Sequence, residues 1–444
     1  MLTNAKGFYS RLHGTLTWRV LTNASWISAA TPITVGLGIV QIGMMARMLG
    51  PEGLGVIGLF EATCAFISAL LKLNSGEASM VFATKALAEG DKKHAGHLLR
   101  YFYLLDFLTS FLSFSAVVAS GLIFSQLFKI SPEHGWLISI YGLTLIFRSP
   151  HSIAHSVLRV GNHFSWIFYQ SAALSVLKTV SVLVLFLAKA GLEQIVLLLV
   201  SLSLFDGCSS YLMAEVTLRQ KGVSISRSLE RWWRVPKYVL KFQILAKGRD
   251  VTKMLYRYSD TLMIGFLASA TSIGLFRSAK QITGLLSIPT DALVSSLSPE
   301  YSRLWFQDDV ARLRKLVFRF SMTIFCIFTF VVFWLIIFIE PIIRLILGVA
   351  FLPAKETVFV LILTALISMV MAPFNSMQVA TGRAGPATLA GVATVVVQAI
   401  LMVFLVPKFG IVGAAWASVA GVTASAAIMI PTGLVRLKGK GSIV

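Results

Sequence analysis

Long apolar segments alternate with short polar loops along nearly the whole chain. Runs of about 20 apolar residues have the length of a helix that crosses a bilayer, where backbone hydrogen bonds must close within the segment. The pattern predicts twelve membrane-spanning helices, at residues 26–48, 53–73, 101–126, 136–157, 164–188, 192–217, 244–268, 273–298, 317–340, 356–380, 387–406 and 411–433. The predicted fold class is therefore an all-α polytopic membrane protein.

The composition supports this prediction and excludes a soluble globular protein. Hydrophobic residues make up 56% of the chain and charged residues only 13%, and the mean hydropathy is +0.80. So few charges could not cover the surface of a soluble domain of this size.

Lysine and arginine are concentrated in alternate loops, which predicts the orientation. The richest loop holds Arg219, Lys221, Arg227, Arg231, Arg234, Lys237 and Lys241. The opposite set of loops holds only Arg47, Lys129, Lys189, Arg344, Lys355 and Lys408. Positive loops stay in the cytoplasm, so we expect a multi-pass protein of the inner (cytoplasmic) membrane with both termini cytoplasmic. This bias explains the net charge of +20 without a nucleic-acid partner, and brings the basic face near anionic membrane lipids.

The two halves of the chain resemble each other. Residues 57–60 (IGLF) open span 2 and residues 273–276 (IGLF) open span 8, about half the chain apart. This duplication predicts two parallel six-helix lobes around a central cavity, at 26–218 and 244–433. A cytoplasmic segment 1–25, a basic linker 219–243 and a basic tail 434–444 complete the predicted organisation. Because glycine lets helices approach closely, spans 1–2 and 7–8 are expected to meet at the external side when the cavity faces the cytoplasm.

Ionisable residues inside the predicted spans mark the candidate site, because such groups are costly in a membrane unless they have a partner or a polar cavity. Cations outnumber anions among them, which suits a diphosphate. The candidate substrate-binding residues are Arg148, Lys178, Lys253, Arg257, Arg277 and Lys280. The candidate carboxylates for ion coupling are Glu61, Asp106, Asp260 and Asp291. The polar faces of spans 7 and 8 are expected to converge across their short turn.

Structural roles for these charges stay open. Arg148 and the histidines three and seven residues later, His151 and His155, could instead be structural partners of Asp106. Lysines and arginines near a span end could reach the membrane surface, and Asp206 is expected to lie too near the end of span 6 to contribute. No cofactor is expected, because no GxxxxGK[ST] nucleotide-binding loop is present, and no metal site is suggested by the three cysteines, which lack CxxC spacing.

Short motifs resemble the polysaccharide flippases of the multidrug/oligosaccharidyl-lipid/polysaccharide exporter superfamily. Residues 46–55 (ARMLGPEGLG) resemble the family's ARxLGPxxxG turn. Residues 260–265 (DTLMIG) and 273–279 (IGLFRSA) resemble its D-x-hydrophobic-G and hGxYxxA signatures, although Phe276 stands where tyrosine is frequent. Residues 409–415 (FGIVGAA) resemble its fGixGAA motif. These motifs occur in the family's order along nearly the whole chain.

The resemblance implies a non-enzymatic flippase that moves a polyprenyl-pyrophosphate-linked oligosaccharide across the cytoplasmic membrane by alternating access. If transport is driven by an ion, that ion would be a proton or sodium, and a polysaccharide polymerase would be a possible partner. Two alternatives remain. A small-molecule exporter of the same fold would usually need an acidic cavity, and a membrane polysaccharide polymerase or ligase would need a long external loop; this sequence predicts a cationic cavity and short external loops.

Overall fold

The computed structural model of the 444-residue chain describes residues 16–73, 75–128, 135–223, 237–383 and 385–437. The middle of the predicted basic linker, residues 224–236, lies outside these ranges, as do most of the predicted N-terminal segment and tail. The side chains of Lys253 and Asp291 are also outside the description. Within the described ranges the secondary structure is helical, which confirms the predicted all-α class.

The helices follow the predicted spans closely. In chain order they are α1 (Leu16–Leu71), α2 (Ser75–Ala88), α3 (Lys92–Leu127), α4 (Leu137–Phe147), α5 (His151–Val160), α6 (Phe164–Leu187), α7 (Leu192–Gln220), α8 (Lys237–Leu267), α9 (Ala270–Gly284), α10 (Ser287–Phe306), α11 (Val310–Ile346), α12 (Lys355–Ala380) and α13 (Gly385–Arg436), with a 3₁₀ turn at Val349–Ala354. Every predicted span lies on one or two of these helices.

Two of the long helices are kinked at glycines. Gly50 in α1 has φ 67°, and Gly410 in α13 has φ 56°. This left-handed backbone region favours glycine, because a Cβ would be strained there. Each kink separates two predicted spans: 26–48 from 53–73, and 387–406 from 411–433.

Spans 4 and 8 differ from the prediction, because each is divided between two helices. Span 4 breaks at residues 148–150, where Pro150 lacks the N–H that a continuous helix would use. Span 8 breaks at residues 285–286, between α9 and α10. The short helix α2 was not predicted. It is too short to cross a bilayer, and it is held to α5 by a hydrogen bond of 2.7 Å from the Ser156 hydroxyl to the Gly76 carbonyl.

Seven helices among the described residues are long and apolar enough to cross a membrane: Ile33–Leu71, Lys92–Gly121, Phe164–Leu187, Leu192–Gln220, Val310–Ile346, Gly385–Arg436 and the stretch Val349–Ala380. Two of these contain the glycine kinks and so hold two predicted spans each. The remaining predicted spans are broken or carry several charges.

The chain folds as two compact units. The first unit comprises Met1–Met48, Ile67–Ile123 and Pro132–Val251, and the second comprises Leu49–Phe66, Phe124–Ser131 and Thr252–Val444. The core of the first unit includes Leu99, Phe102 and Ile153, all at most 1% exposed. The core of the second includes Tyr301 and Leu313, which are fully buried.

Hydrogen bonds and ion pairs inside each unit satisfy some of the polar groups that the apolar spans carry. Gln41 of α1 donates to the Thr179 hydroxyl of α6 at 2.8 Å. Gln398 donates to the Ser418 hydroxyl at 2.9 Å across the two arms of α13. Arg344 and Lys355, two of the few cations predicted to face outward, both pair with Glu340, at 2.8 and 2.9 Å. Their charge is therefore partly neutralised.

Candidate functional site

The break between α4 and α5 positions the first group of candidate residues, in the first unit. Helix α7 packs tightly on this break at Gly207, where an added Cβ would collide with the carbonyl oxygen of Phe147. That close approach brings the neighbouring Asp206 beside the first residues after α4. The sequence predicts neither the close approach nor the role of Asp206, because Asp206 was expected near a span end.

Asp206 is the centre of this group. The Arg148 Nε donates to its Oδ2 at 3.1 Å, and the His151 Nδ1 lies 3.2 Å from its Oδ1. The carboxylate is 3% exposed, whereas the Arg148 side chain is 54% exposed. The structural alternative for Arg148 and His151 therefore named the wrong carboxylate: their partner is Asp206 and not Asp106.

Gln170 of α6 completes the group from the opposite side. Its amide nitrogen donates to the Ser210 hydroxyl at 2.6 Å and to the Asp206 Oδ1 at 3.3 Å. Its amide oxygen lies 3.3 Å from the His155 Nε2, so that ring nitrogen is the donor. A buried glutamine in an otherwise apolar span was the signal that could have identified Gln170.

Asp106 belongs to a separate ion pair in the same unit. Its carboxylate lies 3.0 Å from the Lys72 Nζ and is 3% exposed, while Lys72 is 22% exposed. Lys178 is half-buried on α6, next to Thr179, which bonds Gln41. The predicted cations and carboxylates of this unit therefore lie at more than one place, and the cation that pairs with Asp106 is Lys72, which was not a predicted substrate-binding residue.

Glycines allow α1 and α9 to cross very closely in the second unit. A Cβ at Gly55 would collide with the Ala270 carbonyl, and one at Gly274 would collide with the Pro51 carbonyl. The expected contact between spans 1–2 and spans 7–8 is thus present, and its location at the external side stays a prediction. One turn further along α1, a Cβ at Gly58 would collide with the Arg277 side chain, so this glycine leaves the space that the guanidinium occupies.

The second group of candidate residues lies just beyond this crossing. The Arg277 Nη2 donates to the Glu61 Oε2 at 2.7 Å, and the Tyr258 hydroxyl donates to the other carboxylate oxygen at 3.0 Å. Three helices, α1, α8 and α9, therefore meet at one carboxylate. The sequence predicts Arg277 as a substrate-binding residue and Glu61 as an ion-coupling carboxylate. In the structure the two side chains form an ion pair.

The turn between α8 and α9 produces a second ion pair, between Lys280 and Asp260. Asp260 is 1% exposed and also accepts the backbone N–H and the hydroxyl of Thr261. The expected convergence of the polar faces of spans 7 and 8 is therefore confirmed. Arg257, one turn before Asp260, is exposed, and its guanidinium lies 5.5 Å from the centre of the Tyr258 ring.

Most of the predicted cations in these two groups of residues are paired, so the groups do not form the simple excess of cations that the sequence predicts. Each of Arg148, Arg277 and Lys280 has a carboxylate partner. Among the described side chains, the ion pairs do not include Arg257. Pairing of this kind lowers the cost of holding charge at membrane depth. It also means that an incoming anion would compete with a carboxylate for three of these cations.

Comparison with known proteins identifies the chain. A family described as polysaccharide biosynthesis protein matches residues 44–356. The chain belongs to this family. The matched region includes the motifs at 46–55, 260–265 and 273–279, so the family resemblance read from the residues is confirmed.

Individual relatives agree with this assignment. The chain is 23% identical to the probable low-salt glycan biosynthesis flippase Agl15 of Haloferax volcanii, over 86% of this chain and 77% of that protein. Its fold is similar to the inward-facing conformation of a multidrug resistance MATE family transporter of the MOP superfamily, with a TM-score of 0.70, 15% identity and coverage of 93% and 94% of the two chains. It is also similar to the lipid II flippase MurJ in an inward closed conformation, with a TM-score of 0.61, 16% identity and coverage of 93% and 91%. The chain is a multi-pass membrane protein with a transporter fold.

Proposed function

We propose that this protein is a flippase that moves a polyprenyl-pyrophosphate-linked oligosaccharide across the cytoplasmic membrane by alternating access, for export of a cell-surface polysaccharide. The observation that carries the proposal is the family match over residues 44–356. The similarity to a glycan biosynthesis flippase over 86% of the chain supports the same substrate class.

The cations at membrane depth would bind the headgroup while the polyprenyl tail stays in the lipid. Arg257 is the leading contact, because it is exposed and takes part in none of the described ion pairs. A guanidinium offers two parallel donors to phosphate oxygens. Arg148, Arg277 and Lys280 would contribute after exchanging a carboxylate for the diphosphate, and Lys178 and Lys253 remain proposed contacts from the sequence.

The same proposal includes a coupling ion and a location in the cell. A proton or sodium ion would drive transport, with Glu61, Asp106, Asp260 and Asp291 as the carboxylates suggested by the sequence. The protein would lie in the inner membrane with both termini cytoplasmic, and a polysaccharide polymerase would use the flipped product. The protein would change the location of its substrate without making or breaking covalent bonds.

A small-molecule exporter is the main rival, because multidrug transporters share the fold. Such exporters usually take cations, and the residues at membrane depth here include Arg148, Arg257 and Arg277. These positive groups favour an anionic headgroup.

Depletion of the protein in its host tests the proposal. Polyprenyl-linked glycans would be extracted and identified by mass spectrometry, and their sidedness would be probed in intact cells with a membrane-impermeant glycan-oxidising reagent. We expect a complete lipid-linked repeat to accumulate in a protected, inner-leaflet pool, and the wild-type chain to reverse this. Unchanged lipid-linked glycans together with increased sensitivity to cationic drugs would show that the protein is a small-molecule exporter and not a flippase.

A further inference from the structure

A polar cluster buried in the first unit has the composition of a proton-binding site. Its members lie on α5, α6, α7 and the break between α4 and α5; they are Arg148, His151, His155, Gln170, Asp206 and Ser210. We call it the histidine–aspartate cluster. An ionisable group inside a membrane protein is costly, and proton relays are among its recognised uses. Asp206 was not among the carboxylates predicted to couple transport to an ion.

The geometry of the cluster connects a carboxylate to two stacked imidazoles. The His151 Nδ1 lies 3.2 Å from both the Asp206 Oδ1 and the Ser210 hydroxyl. The His155 ring lies on the His151 ring, with centroids 4.0 Å apart and planes inclined by 33°. Two imidazolium rings at this separation would repel each other, so the pair has room for one added proton rather than two.

Gln170 fixes the orientation of the His155 ring. Its amide nitrogen is directed to oxygen atoms of Asp206, Ser209 and Ser210, which turns its oxygen to the His155 Nε2. Gln170 is 5% exposed and Ser210 is fully buried. Such a satisfied network holds the rings in one orientation.

Among the described side chains, the charged groups that act on the rings and on Asp206 include Arg148 and Arg159, the latter near the end of α5. The α6 contribution is the uncharged Gln170, and α2 contacts α5 through the Gly76 carbonyl. The Arg148–Asp206 ion pair is formally neutral, and so are unprotonated histidines. One proton added to His151 therefore gives the cluster a net charge of +1.

A metal cation fits this place poorly. Both carboxylate oxygens of Asp206 already face nitrogen atoms, of Arg148 and His151, and a guanidinium repels sodium. No group of three or more metal-ligating side chains occurs among the described residues. Imidazole nitrogen, in contrast, takes up protons near neutral pH.

We propose that the histidine–aspartate cluster binds one proton, on the His151–His155 pair, and that Asp206 stabilises the resulting imidazolium. The proton is transferred from a hydronium ion, which becomes water, to the lone pair of a ring nitrogen. Once His151 is charged, it shares Asp206 with Arg148, so the hold of the carboxylate on Arg148 weakens. This second consequence rests on the proposed function, in which Arg148 contacts the diphosphate; the proton site itself does not.

The proton site can be tested by NMR on the full chain labelled with ¹⁵N-histidine in detergent micelles. The chain has seven histidines, and His151→Asn and His155→Asn assign the two signals. We expect the two signals to change together in a single titration step as the pH falls from 8. In Asp206→Asn their common midpoint should move to lower pH by at least about one unit, because the imidazolium loses its carboxylate.

Glu215→Gln is the matched control. Glu215 lies on the same helix, about 13 Å further along at 1.5 Å per residue, and pairs with Arg219 at 3.0 Å. This variant should leave the two signals unchanged. Two neutral rings down to pH 5, or a midpoint that ignores Asp206→Asn, would overturn the proposal. If Asp206→Asn does not fold, the His151→Asn variant tests the proposal instead. The pH dependence of the His155 signal should change in this variant, and an unchanged pH dependence would show that the two rings do not share a proton.

A transport measurement separates this inference from the proposed function. Proteoliposomes would carry a polyprenyl diphosphate bearing one fluorescent sugar, and its flipping rate would be measured from pH 5.5 to pH 8. We expect a pH-dependent rate that Asp206→Asn and His151→Asn make flat and that Glu215→Gln preserves. Absence of flipping by the wild-type chain counts against the proposed function alone, and the NMR titration still decides the proton site.

Discussion

The Arg277 guanidinium donates to the Glu61 carboxylate at 2.7 Å and occupies the space that Gly58 leaves one turn earlier on α1. The ion pair therefore depends on the absence of a side chain at Gly58. In chain order, Gly55, Gly58 and Glu61 are spaced three apart on one helix, so they share a face directed at α9. The glycines allow close approach, and the carboxylate at the end of this stripe receives the arginine.

Gly58→Ala should disturb this ion pair without unfolding the protein. The added Cβ meets the far end of the flexible Arg277 side chain, which can move away, but its position opposite Glu61 is then lost. We expect glycan export to fall about tenfold or more, equivalent to about 1.4 kcal/mol, with near-normal amounts of protein in the membrane. Gly38→Ala on the same helix meets no atom within 4 Å and should export normally. Equal export by both variants would remove the pair from the mechanism.

Gly274→Ala should instead prevent stable folding of the second unit. Its Cβ would collide with the Pro51 carbonyl, which is backbone and cannot rotate away as a side chain does. We expect a clear loss of folded protein, measured by fluorescence-detected size-exclusion chromatography in detergent. On the same helix, Gly284→Ala has open space around the new methyl group and should behave as wild type. A monodisperse, heat-stable Gly274→Ala protein would show that α1 and α9 can separate.

Arg277→Ala should lower the free energy of unfolding because it leaves Glu61 without its cation. Arg277 and Glu61 side chains are 31% and 37% exposed, so the loss should lie between that of a surface pair and that of a buried pair, about 1 to 3 kcal/mol. Thermal unfolding in detergent measures the loss as a decrease in Tm. The double variant Glu61→Gln/Arg277→Ala should recover most of that Tm. A double variant no more stable than Arg277→Ala would show that the two side chains are not coupled.

The hydrophobic pattern predicted where helices run, but not where they break. Pro150 interrupts span 4, whereas Pro373 lies inside the continuous helix α12. Proline weakens a helix in both places, and the outcome depends on the neighbours. Here Gly207 of α7 packs on the break itself, a contact between distant parts of the chain that the sequence pattern does not contain.

The candidate site was predictable only where its residues are close in sequence. Asp260 and Lys280 lie on helices joined by a short turn, and their convergence was predicted correctly. The sequence pattern places Asp206 near the end of a span, whereas the close packing of α7 on the α4–α5 break decides its surroundings. The partner of Arg148 was therefore assigned wrongly.

The predicted orientation can be tested by cysteine labelling. Cys64, Cys208 and Cys326 would first be replaced, because Cys208 and Cys326 are exposed. Single cysteines at Ser228 and Gly439, which lie outside the described residues, should resist an impermeant thiol reagent in intact cells and react after permeabilisation. A cysteine at Lys408 should react in both. Labelling of Ser228→Cys or Gly439→Cys in intact cells would reverse the orientation.

Arg257 gives the cleanest test of anion recognition. Its guanidinium is exposed and, among the described side chains, takes part in no ion pair, so its removal leaves no carboxylate uncompensated. Arg257→Ala should therefore abolish glycan export while Tm changes little. Arg257→Lys should restore part of the export, because it keeps the charge but loses the planar fork that contacts two phosphate oxygens at once.

Lys408→Ala removes a cation of a predicted external loop, serves as the control for total charge and should export normally. Export would be measured as surface polysaccharide per molecule of protein in the membrane. Normal export by Arg257→Ala at a normal protein level would show that other cations bind the headgroup.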